Sequence, residues 1–209
     1  MQDIFTLLLI GVLMASVVSF VVMGWRQWRR TGFLARKAHE MKLHFSAVDL
    51  FDVPRKYGDF TLVSNGHGQR ACNVTHGYIC SCPVRAFDLR YEVGHATRRM
   101  TRHYAVIAVQ TRKNLGDLVM WHVDDAQSPP LAISFTVETV GKWICRGDIG
   151  LARAVVGVSE PLSDRCASVE VRGDTMMFCL PVVRRRQDYT AQLACIEQVL
   201  GRIEDYCVQ

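Results

Sequence analysis

ACNVTHGYICSC, residues 71–82, packs three cysteines, a histidine and an Asn-x-Thr sequon into twelve positions. As a metal or redox centre it would make the chain an enzyme. As two strands and a turn it makes the chain a β-sheet protein. In an extended strand alternate side chains share a face. Cys80, Cys82, Val84 and Ala86 then point one way, and Ile79, Ser81, Arg85, Phe87, Leu89 and Tyr91 the other. The two thiols thus join small apolar residues, and unpaired cysteine behaves as a small, readily buried hydrophobe. His76-Gly77 is a turn signal, and a three-residue turn over Thr75–Gly77 sets Cys72 opposite Cys80 with His76 at the loop.

A zinc site needs four ligands in a tetrahedron, commonly from paired Cys-x-x-Cys knuckles. This stretch offers Cys-x-Cys within one strand, and Cys145, Cys166, Cys179, Cys195 and Cys207 are scattered singly. No metal site or cofactor is expected. The enzyme alternative is a thiol activity using Cys80 or Cys82 with His76 or His103 as base, but no local signature singles out a pair. The phosphate-binding, dinucleotide-binding, zinc-protease and nucleophile-elbow motifs are absent from the sequence.

Upstream, Ile4 to Gly24 is a run of twenty-one residues without a charge. At about 1.5 Å per residue a helix of that length spans the roughly 30 Å hydrocarbon core and satisfies its own backbone there. Only Asp3 precedes it, whereas Arg26, Arg29, Arg30, Arg36, Lys37 and Lys42 follow. That asymmetry favours an uncleaved anchor over a signal peptide and puts everything after Trp25 in the cytoplasm. Trp25 and Trp28 fall where an interfacial aromatic belt belongs. A reducing cytoplasm keeps the eight cysteines as thiols. Residues 25–45 read as a basic juxtamembrane linker. Its amphipathic helix starts near Gly32 and ends before Asp49, and its basic side either rests on anionic lipid or is solvated.

Residues 46–209 read as one α+β domain. Phe60–Val63, Ala71–Thr75, Tyr78–Tyr91, Arg102–Thr111 and Leu118–Val123 have strand character and form a mostly antiparallel meander. Ile133–Val137 alternates like a strand, and Leu151–Val158 suits a buried strand or a short helix. Cys166–Val171 and Met176–Leu180 make a hairpin about Gly173-Asp174, and both Arg-Gly-Asp triplets read as turns. A C-terminal amphipathic helix carries Tyr189, Leu193, Ile196, Val199, Leu200, Ile203 and Tyr206 on one stripe.

With net charge +5, the basic clusters at Arg98, Arg99 and Arg102 and at 184–186 read first as a solvated rim and second as a seat for phosphate. Beside an anionic leaflet the phosphate belongs to lipid rather than nucleic acid. Arg29, Arg30, Arg98, Arg99 and Arg102 are the candidate headgroup contacts, and the remaining partners are protein surfaces.

The anchor, MKLHFSAVD (Met41 to Asp49) and KYGDFTLVSNGHGQRACNVTHGYICSCPVRAFDLRYEVGHATRRMTRHYAVIAV (Lys56 to Val109) resemble a family of uncharacterised bacterial single-pass membrane proteins. The shared features are a Gly-His-Gly turn at Gly66–Gly68, an Asn-x-x-x-Gly hairpin at Asn73–Gly77, a strand at Phe87–Tyr91 and the basic loop Arg98–His103. The chain departs at Leu89, where an aromatic is usual, and in its extra cysteines. The resemblance implies a bacterial inner-membrane protein and carries over no catalytic residue.

Overall fold

The computed structural model describes residues 2–64, 66–94, 99–123, 137–163, 168–181, 193, 196–201 and 203. The apolar run opens a single helix, α1 (Gln2–Glu40). With a rise of about 1.5 Å per residue it is roughly 58 Å long. It continues without a break through residues 25–40, so the expected helix starting near Gly32 is its last two turns. Lys42, at φ 58°, ends it. The Leu43 N–H donates to the Ala38 carbonyl at 2.8 Å and the Lys42 N–H to the His39 carbonyl at 3.0 Å. These are the paired bonds of a Schellman cap. Leu43 and Ala38 are both buried, which completes the cap's apolar contact. The chain reverses there into β1 (His44–Val48), so Phe45 is a strand residue and not a helical one.

Asp49 then accepts from the N–H groups of Phe51 (2.9 Å) and Val53 (2.8 Å). This turn launches α2 (Val53–Lys56) and α3 (Thr61–Ser64). The expected strand at Phe60–Val63 is therefore a correction. Its composition is β-rich, yet Phe60, Leu62 and Val63 fold as a short turn over the sheet.

Eight strands follow: β2 (His67–Ile79), β3 (Cys82–Val93), β4 (Met100–Gln110), β5 (Asp117–His122), β6 (Glu138–Val140), β7 (Trp143–Gly147), β8 (Ser168–Arg172) and β9 (Thr175–Pro181). Among the described residues the nine strands form one antiparallel sheet in the order β1-β2-β3-β4-β9-β8-β5-β7-β6. The meander holds for β1 to β4. The β8–β9 hairpin then enters between β4 and β5, which were expected to be neighbours. That hairpin turns at Gly173-Asp174 as expected, with Arg172 opposite Thr175 and Gly173 at φ 60°. The other triplet carries the chain from β7 into α4 (Ile149–Ser163). There the Leu151 N–H donates to the Asp148 carboxylate at 3.0 Å. Asp148 thus serves as the N-cap. Leu151–Val158 is helical. The expected strand at Ile133–Val137 lies, but for Val137, outside the described residues.

The decisive stretch is a hairpin, but its turn lies elsewhere. Strand β2 runs straight through His76-Gly77, and Ile79 pairs with Cys82 across a two-residue turn. Cys80 (φ 49°) and Ser81 (φ 62°) both take the left-handed conformation. A type I′ turn requires it at both central positions. Cys72 consequently faces Asp88 and not Cys80, and Cys80 leaves the strand face. Gly77 has a different task. A Cβ there would lie 2.5 Å from Leu43 Cδ2, so its missing side chain is what lets the end of α1 pack on β2.

Both faces of the central strands are covered. On one, Cys82, Val84 and Ala86 of β3 and Ala105, Ile107 and Val109 of β4 meet Leu34 and Ala38 of α1, Leu151 and Val155 of α4, and Leu193, Ile196, Val199, Leu200 and Ile203. These last residues are helical, and their stripe is the one expected for the C-terminal helix. Tyr189 and Tyr206 lie outside the described residues. On the other face, Phe87, Leu89, Tyr91, Tyr104 and Val106 meet Val53, Tyr57, Phe60, Leu62 and Val63.

Candidate functional site at the helix–sheet joint

Where α1 first reaches the sheet, the contact is polar. The Arg30 guanidinium donates to Asp88 through Nε (2.8 Å to Oδ2) and Nη2 (2.5 Å to Oδ1). Asn73 donates from Nδ2 to Asp88 Oδ2 at 2.8 Å, and Thr31 donates its hydroxyl to Asn73 Oδ1 at 2.9 Å. Asn73 sits at φ 53°, within a bulge in β2 between Cys72 and Thr75. A bulge re-aims a side chain in this way, and asparagine tolerates the conformation better than most residues. The joint is largely dry: the Arg30 and Asp88 side chains are 19% and 12% exposed.

Around it, burial, with Asp88 next, pushes the Cys72 thiol above its ordinary range. Burial likewise lowers the His103 imidazole, with the Arg90 charge adding to it. A thiol held protonated in this way is not poised for nucleophilic work, which requires a stabilised thiolate.

The remaining thiol candidates are kept apart. Cys82 is buried in one core. His76 sits on the opposite face, edge-on to Phe51 (centroids 4.9 Å) and stacked on His44 (5.2 Å). His103 pairs with Arg90, well along β3 from Cys82. At the strand rise that separation is about 26 Å. Cys80 is exposed at the turn, 3.5 Å from Glu197 Oε1. By the same rise His76 lies about 13 Å from it along β2. The thiol-enzyme reading is not favoured. Among the described residues no three His, Cys, Asp or Glu side chains converge as metal ligands would.

The candidate headgroup residues take varied places. Arg30 is committed to Asp88, so its charge faces the protein and not the solvent. Arg29 is exposed, its guanidinium 5.6 Å from the Trp25 ring centroid. That is within cation–π range. Trp25 and Trp28 are both exposed on α1. Arg99 is exposed and pairs with Glu92, and Arg102, near the start of β4, is half-buried opposite Tyr91. Arg98 lies outside the described residues.

Two contacts were beyond sequence reasoning. The buried Glu170 of β8 accepts from the Thr61 N–H (2.8 and 2.9 Å), the Thr61 hydroxyl (2.9 Å) and Arg172 Nε (3.0 Å), capping α3 across the sheet. Asp88 stood in the sequence as one acid in an apolar strand, and a buried acid calls for a cationic partner. That signal could have pointed to an arginine, though not to Arg30.

A solved mycobacterial structure has the same fold. It is the crystal structure of the mycobacterial trehalose monomycolate transport factor A, TtfA, with a TM-score of 0.57 and 14% identity, over 82% of this chain and 90% of that one. No protein-family model matches the chain, and no curated protein matches it. What the likeness establishes is the α+β architecture. Within the described residues α1 contains one helix long and apolar enough to cross a membrane, with its apolar window wholly unburied by the domain.

Proposed function

We propose that the chain is a single-pass membrane-anchored binding or scaffold subunit. Residues 4–24 cross a bacterial inner membrane, and residues 46–209 form a cytoplasmic domain that holds a protein partner beside the bilayer. The single observation that carries this reading is the continuity of α1. Its first half exposes an uncharged, mainly apolar surface, which water penalises and lipid does not. Its second half is locked into the domain by Arg30, Thr31, Leu34 and Ala38.

An anchor joined rigidly to a domain suits a part that holds others in place. The likeness to a transport factor supports an accessory role beside transport machinery. The charge asymmetry about the apolar run supports the cytoplasmic orientation. Chemical cross-linking in native membranes, followed by purification of the full chain in detergent, tests the reading. A membrane-protein partner at fixed stoichiometry is expected. A lone monomer before and after cross-linking would contradict it.

A further inference from the structure

The contacts of α1 set where the domain stands relative to its anchor. Gln27 Oε1 accepts from Arg90 Nη2 at 3.5 Å, Arg30 meets Asp88, and Leu43 packs on Gly77, which pairs with Val84. From Gln27 to Glu40 the helix rises about 20 Å. From Arg90 to Val84 the strand covers the same distance, about 20 Å. The helix therefore lies lengthwise along β2 and β3. Continued toward the membrane, Val93 lies about 10 Å past Arg90. Gly24, the end of the apolar run, lies only about 4.5 Å before Gln27. The end of the sheet where β2 starts and β3 gives way to β4 thus stands level with the last turns of the apolar segment.

The residues at that end are mainly basic. His67, Arg70, Arg90, Arg99 and Met100 are exposed and Arg102 is half-buried, with Glu92 the acid among them, paired to Arg99 and 3.7 Å from His67. Four arginines thus share this end of the sheet with one exposed methionine, 59% accessible. That combination matches an anionic interface, where charges meet phosphate and the apolar side chain enters the acyl boundary. We propose that this end of the sheet is a seat for anionic lipid headgroups, pressed onto the leaflet by the rigid joint. The inference rests on the reading of α1 as a membrane anchor. Arg30, named as a headgroup contact by sequence, serves it indirectly by fixing the domain's height.

The full chain is reconstituted in vesicles of phosphatidylcholine alone or with phosphatidylglycerol, with photoreactive benzoylphenylalanine substituted for Met100 or for Ser81. Ser81, in the β2–β3 turn at the far end of the sheet, is the control. Lipid adducts are expected at position 100 and not at 81. They should be several-fold stronger with phosphatidylglycerol and fall with added salt or with Arg70→Glu plus Arg102→Glu. Equal adducts at both positions, or none at 100 in a chain that resists alkaline extraction, would overturn the headgroup seat alone. Extraction of the chain by alkali would remove the anchor reading as well.

Discussion

Arg30 and Asp88 lie 58 positions apart, yet they meet through two parallel hydrogen bonds, guanidinium to carboxylate. One belongs to the helix that bears the apolar run and the other to the middle of the sheet. This pair, extended by Asn73 and Thr31, ties the second half of α1 to the sheet. Without it α1 would rest on the domain mainly through Leu34 and Ala38, and its approach angle would depend on apolar contacts that impose little direction.

Arg30→Ala leaves the Asp88 carboxylate mostly buried with only Asn73 to satisfy it. The expected loss is about 2–3 kcal/mol, short of a fully sealed pair because both side chains keep some solvent. Arg30→Lys keeps the charge but loses the two-bond geometry, and should cost about half as much. Urea unfolding of the full chain in detergent, read by tryptophan fluorescence, measures both.

Glu170→Ala should rank among the costly single changes in the sheet. It strips the acceptor from the Thr61 N–H and hydroxyl and leaves Arg172 without one of its carboxylates. About 2–3 kcal/mol is expected, and Glu170→Gln, which retains one acceptor oxygen, should lose roughly 1 kcal/mol. The same unfolding assay decides it.

Gly77→Ala should destabilise by about 1–3 kcal/mol. The reason is that the added methyl overlaps Leu43 Cδ2. A Leu43→Ala change opens that space. The double variant should therefore be more stable than the sum of the two single losses implies. Simple additivity would mean that Gly77 serves backbone freedom instead.

Stability should fall as pH drops through the ordinary histidine range. Burial lowers His76, helped by His44 and Arg85, and burial also lowers His103, helped by Arg90. A depressed folded pKa means that the unfolded chain binds more protons below about pH 6.5, so the contribution is intact above that value and lost beneath it. Replacing both histidines by glutamine should flatten the slope of unfolding free energy between about pH 5 and 7. Because solvent still reaches both rings, the expected change is at most on the order of 1 kcal/mol.

Local signals carried much of this fold. Period-two alternation assigned Val84, Ala86, Phe87, Leu89 and Tyr91 to the correct faces of β3, and helical spacing picked out the five buried residues from Leu193 to Ile203. Gly173-Asp174 announced its own turn. Failures came where a residue's reason was tertiary. Gly77 looked like a turn because glycine usually marks one, yet here it makes room for Leu43. The real turn uses Cys80 and Ser81, which adopt positive φ without the usual Asn or Gly. Entry of β8–β9 between β4 and β5, the Thr61–Glu170 cap and the Arg30–Asp88 pair all depend on partners far off in sequence. No local pattern encodes them.

The most direct measurement is the fate of α1 in cells: alkaline carbonate fractionation of the membranes, with the intact mass of the chain determined from each fraction. The full-length chain, residues 1–24 included, is expected in the carbonate-resistant pellet. A soluble chain, or one whose mature N-terminus falls beyond Gly24, would contradict a membrane-held domain.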